Sequence, residues 1–135
     1  MKAQELVELA KAAREKAYAP YSSFKVGAAL LGESGQVYLG CNIENASFGA
    51  TNCAERTAIF KGISEGESSF TALAVVADTE DVCMPCGICR QVLTEFINDQ
   101  TEIYLANLKG KIVKTTISQL MPNGFTKTEL FSNRR

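Results

Sequence analysis

Phe70-Thr71-Ala72-Leu73-Ala74-Val75-Val76-Ala77 is a run of eight residues that only Thr71 interrupts with polarity. Strands with one wet face alternate apolar and polar side chains, and this run does not alternate. It suits a strand buried on both faces, as in an α/β sheet with helices above and below. The flanking segments supply those helices. Residues 53–62 place Ala54, Ala58 and Ile59 on one side of a helix, and residues 86–97 carry Ile88, Val92, Leu93 and Phe96 at helical spacing.

Further out the pattern continues. Residues 4–18 read as an amphipathic helix through Leu6, Leu9, Ala10, Ala13 and Ala17, and Ala19-Pro20 should end it. Residues 24–31 and 36–43 read as two strands around the turn Gly32-Glu33-Ser34-Gly35, a hairpin. Residues 44–52 are a polar loop and 78–84 another. Residues 102–106 and 111–116 are strands around Asn107-Leu108-Lys109-Gly110, and Ser118 is placed to cap a short helix before Pro122. The tail from Asn123 is polar, with Phe125, Leu130 and Phe131 as isolated anchors. The order α-β-β-α-β-α-β-β with a short helical tail predicts an α/β sandwich: one mixed sheet of about five strands with helices packed on it.

The bulk numbers fit one domain spanning residues 1–135. Apolar residues make up 46% of the chain and charged residues 21%, as in ordinary soluble globular proteins. At 135 residues about two-thirds of the unfolded surface can be buried. The net charge is −1, and the fourteen basic residues form no run longer than Arg134-Arg135. A nucleic-acid binder usually shows a basic patch, so no nucleic-acid partner is expected. No apolar run approaches the ~20 residues of a membrane span. The start of the chain reads as a helix with regular charges and not as a secretory signal. Five cysteines without a secretory context point to a reducing, cytoplasmic setting, in which they are ligands or core residues.

Cys53-Ala54-Glu55-Arg56 and Pro85-Cys86-Gly87-Ile88-Cys89-Arg90 both fall where a helix follows an extended segment. A helix start carries partial positive charge and free N–H groups, which favour thiolate over thiol. Cys53, Cys86 and Cys89 offer three zinc ligands, and the fourth tetrahedral corner stays open for water, the pattern of a catalytic site. Glu55, two residues from the first ligand, can move protons there. The chain has no histidine, so the ligand set is all thiolate. Three thiolates on Zn²⁺ carry −1 and oppose ionisation of water. A compensating cation is therefore expected beside the sulfurs, with Arg56 favoured and Arg90 second. Other readings compete. Cys86-Gly87-Ile88-Cys89 alone resembles a redox dithiol. Cys83 could complete a closed four-cysteine zinc site, and Glu55 could be a solvated helix residue. The first two leave Glu55 without a purpose. Cys41 and Cys83 are read as core or loop residues.

The two cysteine strings match the zinc deaminase signature, in which the glutamate is not a ligand, in an all-cysteine form. The strings from Tyr18 to Leu30 and from Gly40 to Ala46 resemble the nucleoside-binding half of the small cytidine deaminases. The resemblance covers nearly the whole chain, to Phe125. It implies a three-layer α-β-α sandwich with a mixed five-stranded sheet and one Zn²⁺ per chain. It implies hydrolytic deamination of cytidine and 2′-deoxycytidine to uridine and 2′-deoxyuridine in pyrimidine salvage, with Glu55 moving the protons. It also implies that Asn42 and Glu44 bind ribose hydroxyls, that the Ala54 N–H meets the pyrimidine carbonyl, and that a carbonyl near Pro85 lies by the leaving amine. Phe24 would pack near the base, and Phe125 would enter the pocket from a neighbouring subunit of a homotetramer. A carboxylate beside an amide suits a neutral sugar and favours a nucleoside over a nucleotide. Phe48 departs from the tyrosine of many relatives, which removes a hydroxyl but keeps the ring. A blasticidin S deaminase is the nearest rival among deaminases, and a zinc-stabilised binding module is the rival outside the enzymes.

Overall fold

The computed structural model describes residues 1–132, so the terminal pair Arg134-Arg135 lies outside the described residues. The elements are α1 (Ala3–Arg14), β1 (Val26–Gly32), β2 (Val37–Cys41), α2 (Ala54–Ser64), β3 (Phe70–Ala77), α3 (Gly87–Phe96), β4 (Glu102–Asn107), β5 (Ile112–Thr115), α4 (Ile117–Leu120) and α5 (Lys127–Ser132). A 3₁₀ turn, Phe48–Ala50, lies within the loop before α2. The sheet order is β2-β1-β3-β4-β5. The β3–β4 pair is parallel and the other pairs are antiparallel, so the sheet is mixed.

Two apolar layers sandwich this sheet. Leu6, Val7 and Ala10 of α1 pack with Ala29, Ala74, Val76 and Ala106 on one face. Ala54, Ala58 and Ile59 of α2 and Leu93 of α3 pack with Ala28, Leu30, Leu73, Val75 and Leu105 on the other. The fold is therefore α/β with three layers. In β3 only Thr71 is exposed, as expected of a central strand.

Two glycines let the helices lie close to the sheet. A Cβ on Gly27 would meet Ala10 O of α1 at 2.0 Å, and one on Gly40 would meet Ala54 O of α2 at 2.4 Å and Ala58 N at 2.6 Å. Gly40 thus fixes how near the first turn of α2 comes to the sheet.

Four local expectations differ from the structure. The first helix ends at Arg14 rather than residue 18, because Tyr18 leaves it to bridge Ile43. Tyr18 N–H donates to Asn42 O at 3.0 Å, and Glu44 N–H donates to Tyr18 O at 2.8 Å. The cap of α4 is Thr116, whose side chain accepts from Gln119 N–H; Ser118 instead gives its N–H to Asp99 Oδ1 at 3.0 Å. Ile88 is 63% exposed, although its spacing matches the apolar side of α3. The short helical tail extends past α4 to α5, over residues read as polar with isolated anchors.

Candidate active site

Strand direction brings the chemistry to one end of the sheet. β2 and β3 both run antiparallel to β1, so they point the same way. Their last residues, Cys41 and Ala77, pair with Gly27 and Val26 at the start of β1. The loops leaving β2 and β3 lead to Cys53 and Cys86, the N-caps of α2 and α3. Both caps have extended backbone, which turns the chain into the helix and leaves first-turn N–H groups unpaired within it. Phe24, just before β1, sits at this same end.

The sulfurs of Cys53, Cys86 and Cys89 all lie within 4.8 Å of one another, and Cys53 and Cys86 are 3.8 Å apart. With Zn–S near 2.3 Å, the edge of a tetrahedron is about 3.8 Å. Cys89 N–H donates to Cys86 Sγ at 3.5 Å, the electrostatic support expected at a helix start. All five cysteines are free thiols and Cys83 is not in the cluster. Burial pushes the Cys83 thiol up to about 11, with the charges of Glu55 and Cys53 adding to the effect.

Charge in the cluster fits a dication. The Cys53 thiol falls to about 5, first because Cys89 hydrogen-bonds it; Arg56 and Cys86 help, while burial opposes. The same hydrogen bond pushes Cys89 strongly upward, and burial and the Glu55 charge add to it. One thiolate thus repels a second. Three together require a cation among them, and Zn²⁺ fits both the spacing and the donor set.

Arg56 Nη2 donates to Cys53 Sγ at 3.3 Å and to Thr51 O at 3.4 Å. Its Nε is buried without a partner among the described residues. Arg90 points elsewhere: Nε donates to Pro85 O at 2.8 Å and Nη1 to Leu120 O at 2.8 Å. Of the two arginines, Arg56 is the one bonded to a sulfur.

Glu55, in the first turn of α2, is 4% exposed. Burial raises its carboxyl to about 7. Its own backbone N–H opposes that rise, the Cys53 charge adds to it, and Arg56 opposes it again. Ala54 beside it is fully buried. A carboxyl that titrates near neutrality can both accept and donate a proton.

Asn42 is buried: its Oδ1 accepts Val26 N–H at 2.9 Å and its Nδ2 donates to Phe24 O at 2.7 Å. Glu44 Oε1 accepts Tyr21 N–H at 2.9 Å and Ser22 N–H at 3.1 Å, and Oε2 accepts the Ser22 hydroxyl. The Ser22 hydroxyl bond leads the effects that hold Glu44 below the usual carboxylate range. A cleft of about 360 Å³ is lined by Tyr21, Ser22, Glu44, Phe48 and Thr51. The rings of Tyr21 and Phe48 meet edge to face at 6.1 Å. A cavity of about 610 Å³ lies along the end of α3 and the C-terminal segment and contains none of these residues.

Phe24 and Phe125 are exposed, the latter at 61%. Phe125 O accepts from Gln91 Nε2 of α3 at 2.7 Å. The structure therefore brings Phe24, Asn42, Glu44, Ala54, Glu55 and the three cysteines to one end of the sheet and leaves Phe125 facing outward. Ser22, Thr51 and Gln91 are partners that sequence reasoning missed. No spacing marks them, since each acts through a contact made by folding.

Residues 1–105 match the family model described as "Cytidine and deoxycytidylate deaminase zinc-binding region". The chain belongs to this family. A cytidine deaminase of Sporosarcina psychrophila is 57% identical over 130 residues, covering 96% of each chain. One of Halalkalibacterium halodurans is 54% identical, covering 96% of this chain and 98% of its own. The 1.6 Å crystal structure of cytidine deaminase from Burkholderia pseudomallei superposes with a TM-score of 0.90 at 50% identity, covering 93% of this chain and all of that one. The family's zinc-binding region contains the cysteine cluster, in agreement with its geometry.

Proposed function

We propose that this chain is a zinc-dependent hydrolase that converts cytidine and 2′-deoxycytidine, with water, to uridine or 2′-deoxyuridine and ammonia. The observation that carries the reading is the meeting of three sulfurs and a buried carboxyl at two helix starts. Cys53, Cys86 and Cys89 hold zinc as thiolates, one ion per chain. The chemistry zinc supplies when bound is activation of water for attack at C4 of the cytosine ring.

The remaining work falls to the chain. Glu55 accepts a proton from the attacking water as the C4–O bond forms and delivers it to ring N3. It then passes the second proton to the amino group as the C4–N bond breaks, and ammonia leaves. Its burial, which brings the carboxyl near 7, supports this double role. The Ala54 N–H holds the pyrimidine carbonyl, and the carbonyl at Pro85, steadied by Arg90, stands by the leaving amine. Arg56 draws charge from Cys53 through its 3.3 Å bond.

Asn42 and Glu44 bind the ribose hydroxyls, and Phe24 packs by the base. A carboxylate that stays ionised beside the sugar repels a phosphate, which supports a nucleoside substrate. Exposed Phe125 reaches the pocket of a neighbouring copy in a homotetramer; the exposure of Phe48 and Ile88 supports further burial between copies. The whole chain acts as one domain without nucleic acid. The five free cysteines support a cytoplasmic setting, where the activity would serve pyrimidine salvage. Among the described residues no helix is long and apolar enough to cross a membrane.

Loss of the cytidine absorbance band tests the reading. We expect the purified protein to hold about one zinc per chain and to form uridine from cytidine. Zinc without turnover would point to a binding module, a cycling Cys86–Cys89 disulfide without zinc to a redox protein, and turnover of blasticidin S alone to the rival deaminase.

A further inference from the structure

The loop before β1 is held by the two residues to which the sugar-binding role is given. Phe24 is gripped at both ends of its peptide frame: its N–H donates to Ser22 Oγ at 3.0 Å, and its carbonyl accepts from Asn42 Nδ2 at 2.7 Å. Ser22 is the hinge of this arrangement. Its hydroxyl donates to Glu44 Oε2 and accepts from Phe24 N–H, while its own N–H donates to Glu44 Oε1 at 3.1 Å. Between them Ser23 takes φ +57°, an unfavourable conformation for a residue with a side chain. The loop keeps it because Tyr21, Ser22 and Phe24 are tied on either side.

We infer that Ser22 is a positioning residue that couples the Glu44 carboxylate to the Phe24 ring, so that the sugar contact and the base contact are set together. This rests on the nucleoside reading of the site. A hydroxyl has one proton, and here it goes to Glu44. A lone pair on the same oxygen takes the Phe24 N–H. The oxygen therefore fixes the carboxylate's orientation and the main-chain entry to the aromatic in one contact. Glu44 and Ser22 both line the cleft of about 360 Å³, so the carboxylate keeps a side open to a ligand. Ser22 lies outside the metal cluster and touches no sulfur ligand, so its loss should spare the chemical step.

The test is steady-state kinetics with cytidine, alongside zinc content, for the wild type, Ser22→Ala, Ser22→Thr, Glu44→Ala and the Ser22→Ala/Glu44→Ala pair. Ser22→Ala removes a hydrogen bond to a charged group, and KM should rise about tenfold. Turnover should stay within about twofold, with zinc unchanged. Ser22→Thr keeps the hydroxyl and should restore KM to within about threefold of wild type. In the Glu44→Ala background, Ser22→Ala should raise KM by less than about twofold, because its partner is gone. A Ser22→Ala protein with wild-type KM would overturn the inference. So would a fall in turnover at constant KM, or a full tenfold rise in the Glu44→Ala background. Each of these leaves the deaminase reading standing. A wild-type protein without turnover would overturn that reading, and this inference with it.

Discussion

Cys53 shows how far one residue's surroundings shape the chemistry. It caps α2, receives Arg56 at 3.3 Å, and lies 3.8 Å from Cys86 Sγ. In an all-thiolate set each hydrogen bond to sulfur removes charge that would otherwise weaken zinc as a Lewis acid. Arg56→Gln should therefore lower zinc affinity or activity by about 10- to 100-fold, read by competition with a chelator and by the cytidine assay. An Arg56→Gln protein unchanged in both would show that the sulfur contact carries no weight. At this scale the three cysteines that the fold clusters, and the buried Glu55 of the helix start at Cys53, stand out in the chain by residue type and spacing. The choice between Arg56 and Arg90 does not. Both follow their motifs directly, and only the fold sends Arg90 to Pro85 O and Leu120 O. The ribose role proposed for Asn42 and Glu44 follows from resemblance, yet their bonds to Val26, Phe24, Tyr21 and Ser22 could not be read from it.

At the scale of elements, the site depends on how closely α2 lies on the sheet. Gly40 faces the backbone of Ala54 and Ala58, and Gly27 faces Ala10 and Arg14 of α1 on the opposite layer. Either glycine changed to alanine forces a helix outward, at a cost of about 1–3 kcal/mol. Only Gly40→Ala moves the turn that carries Cys53 and Glu55. We expect both variants to melt earlier, and Gly40→Ala alone to lose zinc affinity and activity disproportionately. Equal catalytic losses in the two, measured at matched folded fraction, would contradict this. Neither glycine announces itself in the chain, since a close approach between layers has no local pattern. The run of β3 was read to the residue because burial on both faces leaves a compositional mark. The end of α1 was misplaced because Ala17 keeps the helical period while Tyr18 pairs with Ile43. Tertiary pairing decided that boundary.

At the scale of the molecule, one end of the sheet gathers nearly everything proposed for the reaction, and Phe125 stands apart at 61% exposure. Gln91 Nε2 donates to its carbonyl at 2.7 Å, which ties the main chain there to α3. If a neighbouring copy uses that ring, two defective variants should complement each other. Phe125→Ala should raise KM, and mixing it with Glu55→Gln under conditions of subunit exchange should restore sites that have both groups intact. Low-KM activity should then reappear; its absence in mixed oligomers would confine Phe125 to its own chain. The element order and the mixed sheet were legible from periodicity, but contacts between copies leave no period to read.

The central claim is that a buried carboxyl beside a three-cysteine zinc site moves the protons of deamination. The most direct measurement is cytidine turnover by Glu55→Gln, with zinc content determined on the same sample. The account predicts zinc retained at the wild-type level and turnover reduced by about 10²- to 10⁴-fold, the usual contribution of general acid–base catalysis. A zinc-loaded Glu55→Gln protein that turns over cytidine at the wild-type rate would contradict it.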